Sequence, residues 1–399
     1  MQVGLLVPYC TEQTDTESPD TPHRRTVLLN FILALLTPLS SLSQHPELDP
    51  GNQEPEAAPL HPASSSMASS LVQHAAAASG DNLWAAATVF PTSAARRLLC
   101  EDAVSPVGAA TLLYLVLAEG EGGAAVPAVY TPLHLLRTAA EHVVTLLKET
   151  HEVRVHKGLL LLAALLARVP PDSLGPEVPG DPRLDSLLPP LVTVIVHQDV
   201  AELRRLGFRC YQRYVSLFSA AARLPVYTQL LHTLTHSGLR GWTVTSLKDT
   251  LLRGLGPGAT LEPYCGPRLA GLVLPLLRLR DGPETDLLEV SEELLASLNL
   301  ARFLLVRDRD NRTGVRDWAP DLRSWTEDIS AGLQLSIAHY EHRAAHPDPA
   351  PDPGPSLGVT VGGRPLPAMD AASMQHVIRQ ALNTFSIIQF NLGMLKDIL

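Results

Sequence analysis

Apolar residues recur every three to four positions from residue 24 to the C-terminus, the spacing of one face of an α-helix rather than the alternation of a strand. A chain patterned this way is restricted to helix-on-helix packing. Composition agrees: apolar residues make up 45% and aromatics only 5%, with Leu and Ala supplying most of the apolar share. The 34 prolines stand against long helices, yet many cluster between the apolar runs, where they act as boundaries. The spacing predicts helices over 24–43, 65–78, 106–119, 130–148, 152–168, 183–197, 200–222, 224–236, 240–253, 264–279, 285–307, 320–344 and 370–398.

Two of these carry particular signals. In 200–222, Leu203, Leu206, Cys210, Tyr214, Leu217 and Ala221 form one stripe to bury, with Arg205, Arg209 and Arg213 on another face. The segment 285–307 is apolar on more than one side. Leu287, Val290, Leu294, Leu298, Ala301 and Leu305 make one stripe, and Leu288, Leu295 and Val306 a second. Such a helix belongs between two neighbours, as the inner helices of a solenoid do. Helix pairs of about 35–45 residues without a strict consensus are the mark of HEAT-like arrays. The expected fold is therefore an all-α, HEAT-like helical-repeat solenoid, with a multi-domain helical bundle as its competitor.

Stretches 44–64, 170–183 and 345–358 are rich in Pro, Gly and acid and read as linkers. Val359-Thr360-Val361, Gly362-Gly363 and Arg364-Pro365-Leu366 have the form of a small β-hairpin at 359–366. The expected organisation is divergent helical repeats over 1–105, a repeat core over 106–344, the linker 345–358, then hairpin and C-terminal helix over 359–399.

The net charge of −10 argues against general nucleic-acid binding. Residues 201–330, however, carry 17 Lys/Arg against 15 Asp/Glu, a locally basic middle suited to an acidic partner. Cys10, Cys100, Cys210 and Cys265 are far apart without a C-x-x-C pair, which suits reduced thiols in a cytoplasmic protein. No basic segment precedes an apolar one at the N-terminus, and Val27–Leu39 is too short to span a bilayer. Neither a secretory signal nor a membrane partner is expected. Asn311-Arg312-Thr313 fits a glycosylation sequon that such a chain would not use.

Motifs for catalysis fail on context. Gly354-Pro355-Ser356-Leu357-Gly358 matches G-x-S-x-G, but that motif works on a turn from strand to helix. Here a proline-rich linker precedes it and a strand follows. His232 and His236 lie four apart on a helix, but Thr233 stands where a metalloprotease needs Glu. That pair, like His339 and His342, reads as exposed helical histidines. Glu119-Gly120-Glu121-Gly122-Gly123 follows no strand and its acids would repel phosphate. No enzyme, cofactor or metal site is expected. Asn299 and Arg302, one turn apart in an apolar helix, need partners: a neighbouring repeat, or a ligand protein across a groove. The Arg205/Arg209/Arg213 stripe reads as a solvated face or as a steering patch for an acidic partner.

From about residue 106 the chain resembles the glomulin family. The resemblance is carried, in order, by Thr111–Val116, Thr131–Leu136, Lys157-Gly158-Leu159, His236-Ser237-Gly238 with Lys248, and Glu284–Leu288. It continues through Ala296–Leu304, Ala338-His339-Tyr340-Glu341 and the Val359–Leu366 segment. Leu5-Leu6-Val7-Pro8-Tyr9 looks like a segment well inside the family's chain, so the sequence is expected to begin mid-protein. Residues 44–105 depart from the family's pattern.

The resemblance implies a HEAT-like fold whose C-terminal half grips the RING subunit of cullin–RING ubiquitin ligases, with its cullin, and covers the surface used by the ubiquitin-conjugating enzyme. It also links the family to an FK-type immunophilin and a receptor tyrosine kinase. The residues assigned to the partner surface are Arg205, Arg209, His236, Lys248, Asn299, Arg302 and Tyr340. Two rivals stand beside this reading. One is a solenoid scaffold for receptor or immunophilin signalling that leaves ubiquitin transfer alone. The other is a cryptic hydrolase using Ser356 or Cys265, for which no base is in place.

Overall fold

Proline and a capping side chain set where several helices begin. Ser105 accepts from the Gly108 N–H at 3.0 Å, Thr131 from His134 at 3.2 Å and Asp181 from Arg183 at 3.0 Å, each just before a proline. Proline is suited to the first helical position because its missing N–H would be unpaired there anyway. The computed structural model describes residues 21–36, 62–79, 83–88, 105–120, 128–256, 258–345, 360–361, 364–365 and 371–399. The fold class is all-α, of the helical-repeat solenoid kind. The chain divides into two units between Ser219 and Ala220.

The first unit comprises α1 (Thr21–Leu36), α2 (Pro62–Ala78), α3 (Leu83–Thr88), α4 (Pro106–Leu117), α5 (Pro132–Leu147), α6 (Glu152–Arg168), α7 (Pro182–Asp185), α8 (Leu188–His197) and α9 (Ala201–Leu217). Helix α4 buries every residue from Gly108 to Leu117 and packs on α1, α3, α5 and α6. It is enclosed on all sides over that span. Leu203, Leu206, Cys210, Tyr214 and Leu217 of α9 are buried as the stripe requires, against α6 and α8.

Helix α9 stops at Leu217 rather than 222, because the backbone finds other partners. The Ser219 N–H donates to the Leu174 carbonyl at 2.8 Å, and Leu174 N–H to that of Leu217 at 3.0 Å. Ala221 consequently lies exposed in the next helix. The stretch 170–183, read as a linker, is instead pinned down. Leu174 and Val178 are buried, and Asp181 pairs with Arg137 at 2.5 Å. The helix expected over 183–197 is broken at 186–187, which brings Pro189 to the start of α8.

The second unit comprises α10 (Ala220–Thr233), α11 (Ser237–Gly254), α12 (Gly266–Val273), α13 (Ser291–Arg307), α14 (Ala319–Ala345) and α15 (Ala371–Lys396). Short 3₁₀ turns occupy Leu274–Leu277, Gly282–Glu284 and Val315–Trp318. Helix α13 begins at 291, not 285, because Asp286 Oδ1 accepts from Leu288 N–H at 2.9 Å and Glu289 N–H at 3.2 Å. Those bonds hold a turn in place of a helix. Its second apolar stripe is not core: Leu288 and Leu295 are half-buried and Val306 is 50% exposed.

Helix α11 packs on α13, and α15 packs on both α13 and α14. At Gly241 the first of these contacts is backbone-close, since a Cβ there would lie 2.7 Å from the Glu292 carbonyl oxygen. Leu247, Leu298, Leu304, Trp325, Ile329, Phe385 and Leu392 form the core, each large apolar side chain contributing about 1.5–3 kcal/mol by burial. Strands β1 (Thr360–Val361) and β2 (Arg364–Pro365) pair antiparallel, Val361 opposite Arg364. Two residues a side do not establish the hairpin expected at 359–366 as a stable element.

Candidate functional site

Where α11, α13 and α15 meet, the second unit has an open groove of about 600 Å³. Lys248 reaches it from α11; Asn299, Arg302, Phe303, Val306 and Arg307 come from one face of α13, at steps of three and four. Met394 near the end of α15, with Asp397 and Ile398 after it, completes the lining. Three cations thus stand against one carboxylate among exposed or half-exposed apolar groups.

Among the described residues these charges are not neutralised. Lys248, Arg307 and Asp397 have no ion pair among the described residues, and Asn299 has no side-chain hydrogen bond there. The Arg302 guanidinium donates to the Met394 sulfur at 2.8 Å, and a thioether is a weak, uncharged acceptor. The apolar side extends along α15, where Phe390 is 66% and Ile387 53% exposed. Ile387, Phe390 and Met394 follow one another at three- and four-residue steps, one helical stripe, with Ile398 just past the helix end. A surface that mixes exposed apolar side chains with uncompensated cations is suited to binding another protein.

Sequence reasoning named Lys248, Asn299 and Arg302, which the fold brings together here. It missed Phe303 and Arg307, though their spacing from Asn299 was readable, and placed Val306 in the core. Met394 and Ile398 could not be found, because their nearness to α13 is tertiary. The other assigned residues lie elsewhere. His236 is exposed and caps α11, its Nδ1 accepting from Leu239 N–H at 3.4 Å, about 18 Å along the helix from Lys248. Tyr340 on α14 is half-buried, its ring edge-on to Phe385 at 5.5 Å.

Arg205 and Arg209 are exposed on α9 of the first unit. Arg205 meets Glu202 at 3.4 Å across an exposed pair, worth little in water. Arg213, on the same expected stripe, is half-buried rather than freely solvated. Its guanidinium donates to the carbonyls of Leu166 and Val169, at 3.4 and 2.8 Å, and ties α9 to the end of α6.

The chemical candidates gain nothing from the geometry. His232, His339 and His342 are exposed. Among the described residues no three His, Cys, Asp or Glu gather as a metal site. The Cys265 thiol donates to Glu262 Oε1 at 3.5 Å, and burial with that carboxylate raises its pKa, away from a thiolate nucleophile. Gly354–Gly358, with Ser356, lies outside the described residues. No helix among them is long and apolar enough to cross a membrane.

A protein-family model described as "Uncharacterised protein family, YAP/Alf4/glomulin" matches residues 95–379. The chain is 29% identical to glomulin of Homo sapiens over 293 residues, 73% of this chain and 49% of that protein. To glomulin of Mus musculus it is 29% identical over 307 residues, 75% of this chain and 51% of that protein. The chain spans about half the length of the curated relatives it matches.

Proposed function

The chain belongs to the YAP/Alf4/glomulin family, and on that premise we propose that it is a non-catalytic, cytoplasmic protein that binds the RING subunit of cullin–RING ubiquitin ligases. Bound there, it blocks the ubiquitin-conjugating enzyme by occupying the surface that enzyme needs. The observation that carries the reading is the groove between α11, α13 and α15, where Lys248, Asn299 and Arg302 converge. Its cations steer an acidic partner, and its apolar lining, with Phe390 and Ile387 beyond it, supplies the area that holds one.

Inhibition by occupancy needs no proton shuttle or nucleophile. A pull-down of purified RING–cullin complex by the chain tests the reading. Retention by the wild type and loss with Arg302→Ala are expected; equal retention by both would remove the groove from the account.

A further inference from the structure

On the opposite side of α13 lies a second, smaller recess, formed with α14 and the turns around residues 275–285. Glu293, Leu294 and Ser297 face it, whereas Asn299, two residues on and about 200° round the helix, faces the groove. Its volume is about 70 Å³, several times the roughly 10–15 Å³ that one water needs on this measure.

Two of its polar side chains are orphans. Ser297 Oγ and Trp325 Nε1 are buried with no hydrogen-bond partner among the described residues, and each residue is only 1% exposed. An indole N–H can only donate, and a buried donor without an acceptor is destabilising. The remaining lining is poor in free acceptors. Glu293 is already held by Arg240 through two bonds of 2.6 Å, and Thr285 donates within its own turn at 2.8 Å. Arg278 and Arg280 are exposed on the lining. Arg278 makes only a long ion pair of 3.7 Å with Asp321, and Arg280 makes none among the described residues.

What such a lining lacks is a group with several acceptor oxygens and negative charge. We propose that the recess binds a small oxyanion, a carboxylate or phosphate group, with Ser297 and Trp325 as inner donors and Arg278 and Arg280 supplying the charge. Guanidinium groups and buried N–H donors are the partners that oxyanions bind most strongly. This site is separate from the groove and does not depend on the proposed function.

The indole N–H of Trp325 is a direct reporter. Its resonance in the ¹⁵N-labelled full chain is assigned by elimination with Trp84→Phe, Trp242→Phe and Trp318→Phe. Titration with inorganic phosphate or sodium acetate, against sodium chloride at matched ionic strength, should move that resonance saturably and raise the melting temperature. A response to acetate alone identifies a carboxylate, to phosphate alone a phosphate group, and to both a general oxyanion site. Arg280→Gln should weaken binding about tenfold, and Ser297→Ala should weaken it with the fold intact. No saturable movement with either ion, or the same movement with chloride, would assign the recess to ordered water and overturn the proposal. Unchanged affinity in both variants would also overturn it.

Discussion

Arg240 and Glu293 join α11 to α13 through two parallel hydrogen bonds of 2.6 Å, with side chains only 12% and 17% exposed. The same guanidinium donates to the carbonyls of Leu231 and Leu234 as α10 ends. One side chain therefore holds three helices in register beside the smaller recess. Arg240→Ala leaves a half-buried carboxylate and two carbonyls without their donor. The expected cost is about 3–5 kcal/mol, read as a lower denaturation midpoint with unchanged slope. A loss within experimental error would mean that apolar packing alone sets the spacing of α11 and α13.

Much of this arrangement was legible in the sequence. The 3.6-residue spacing fixed the helical class, and in α6 it located both ends, 152 and 168. Proline after Ser105, Thr131 and Asp181 marked helix starts by known chemistry. What escaped was decided by competing hydrogen bonds and by contacts distant along the chain. Asp286 takes the N–H groups that would have begun α13 earlier, and Leu174 ends α9 from more than forty residues away. The groove was half readable: Asn299 and Arg302 stood out as polar groups in an apolar helix, but only tertiary packing brings Met394 beside them.

In the groove, Lys248 and Arg302 should behave differently. Lys248 is half-buried and unpaired, so Lys248→Glu should slow association with the RING subunit about tenfold at low salt, an effect that shrinks as salt rises. Arg302 sits against Met394 among the apolar lining, and Arg302→Ala should act mainly on dissociation, by about thirtyfold or more. Surface-immobilised binding kinetics separate the two. Identical salt dependence in both variants would contradict the assignment of roles.

Lys157, only 1% exposed, gives a pH signature. Burial, with Arg154 nearby, lowers its ammonium from 10.5 to about 8, against an opposing pull from Glu119. Between about pH 8 and 10.5 the unfolded chain holds the proton that the folded chain has released. Stability should therefore rise with pH across that window, since the unfolded state binds more protons. Below pH 8 the full cost of burying the charge remains. Melting curves of wild type and Lys157→Met should diverge in slope there; parallel curves would show that Lys157 does not titrate in the window.

Chemistry at Cys210 and Cys265 should be silent. Burial pushes the Cys210 thiol up to about 12, with Arg209 opposing, so it should resist alkylation in the folded chain while Cys265 reacts slowly. Cys265→Ala and Ser356→Ala should leave RING binding and inhibition unaltered. Loss of either activity in a folded variant would reopen a nucleophilic role.

The most direct measurement is reconstituted cullin–RING ubiquitin transfer with increasing amounts of the chain. Suppression should deepen with dose and be relieved by excess conjugating enzyme, because two proteins compete for one surface. Leu298→Asp, which places a charge at a core position 1% exposed, serves as the unfolding control: it should lose inhibition together with its melting transition. Lys248→Glu should need a higher dose for the same inhibition at low salt while keeping that transition. A chain that saturates the RING subunit yet leaves ubiquitin transfer unchanged would contradict the account and favour a scaffold that binds without inhibiting.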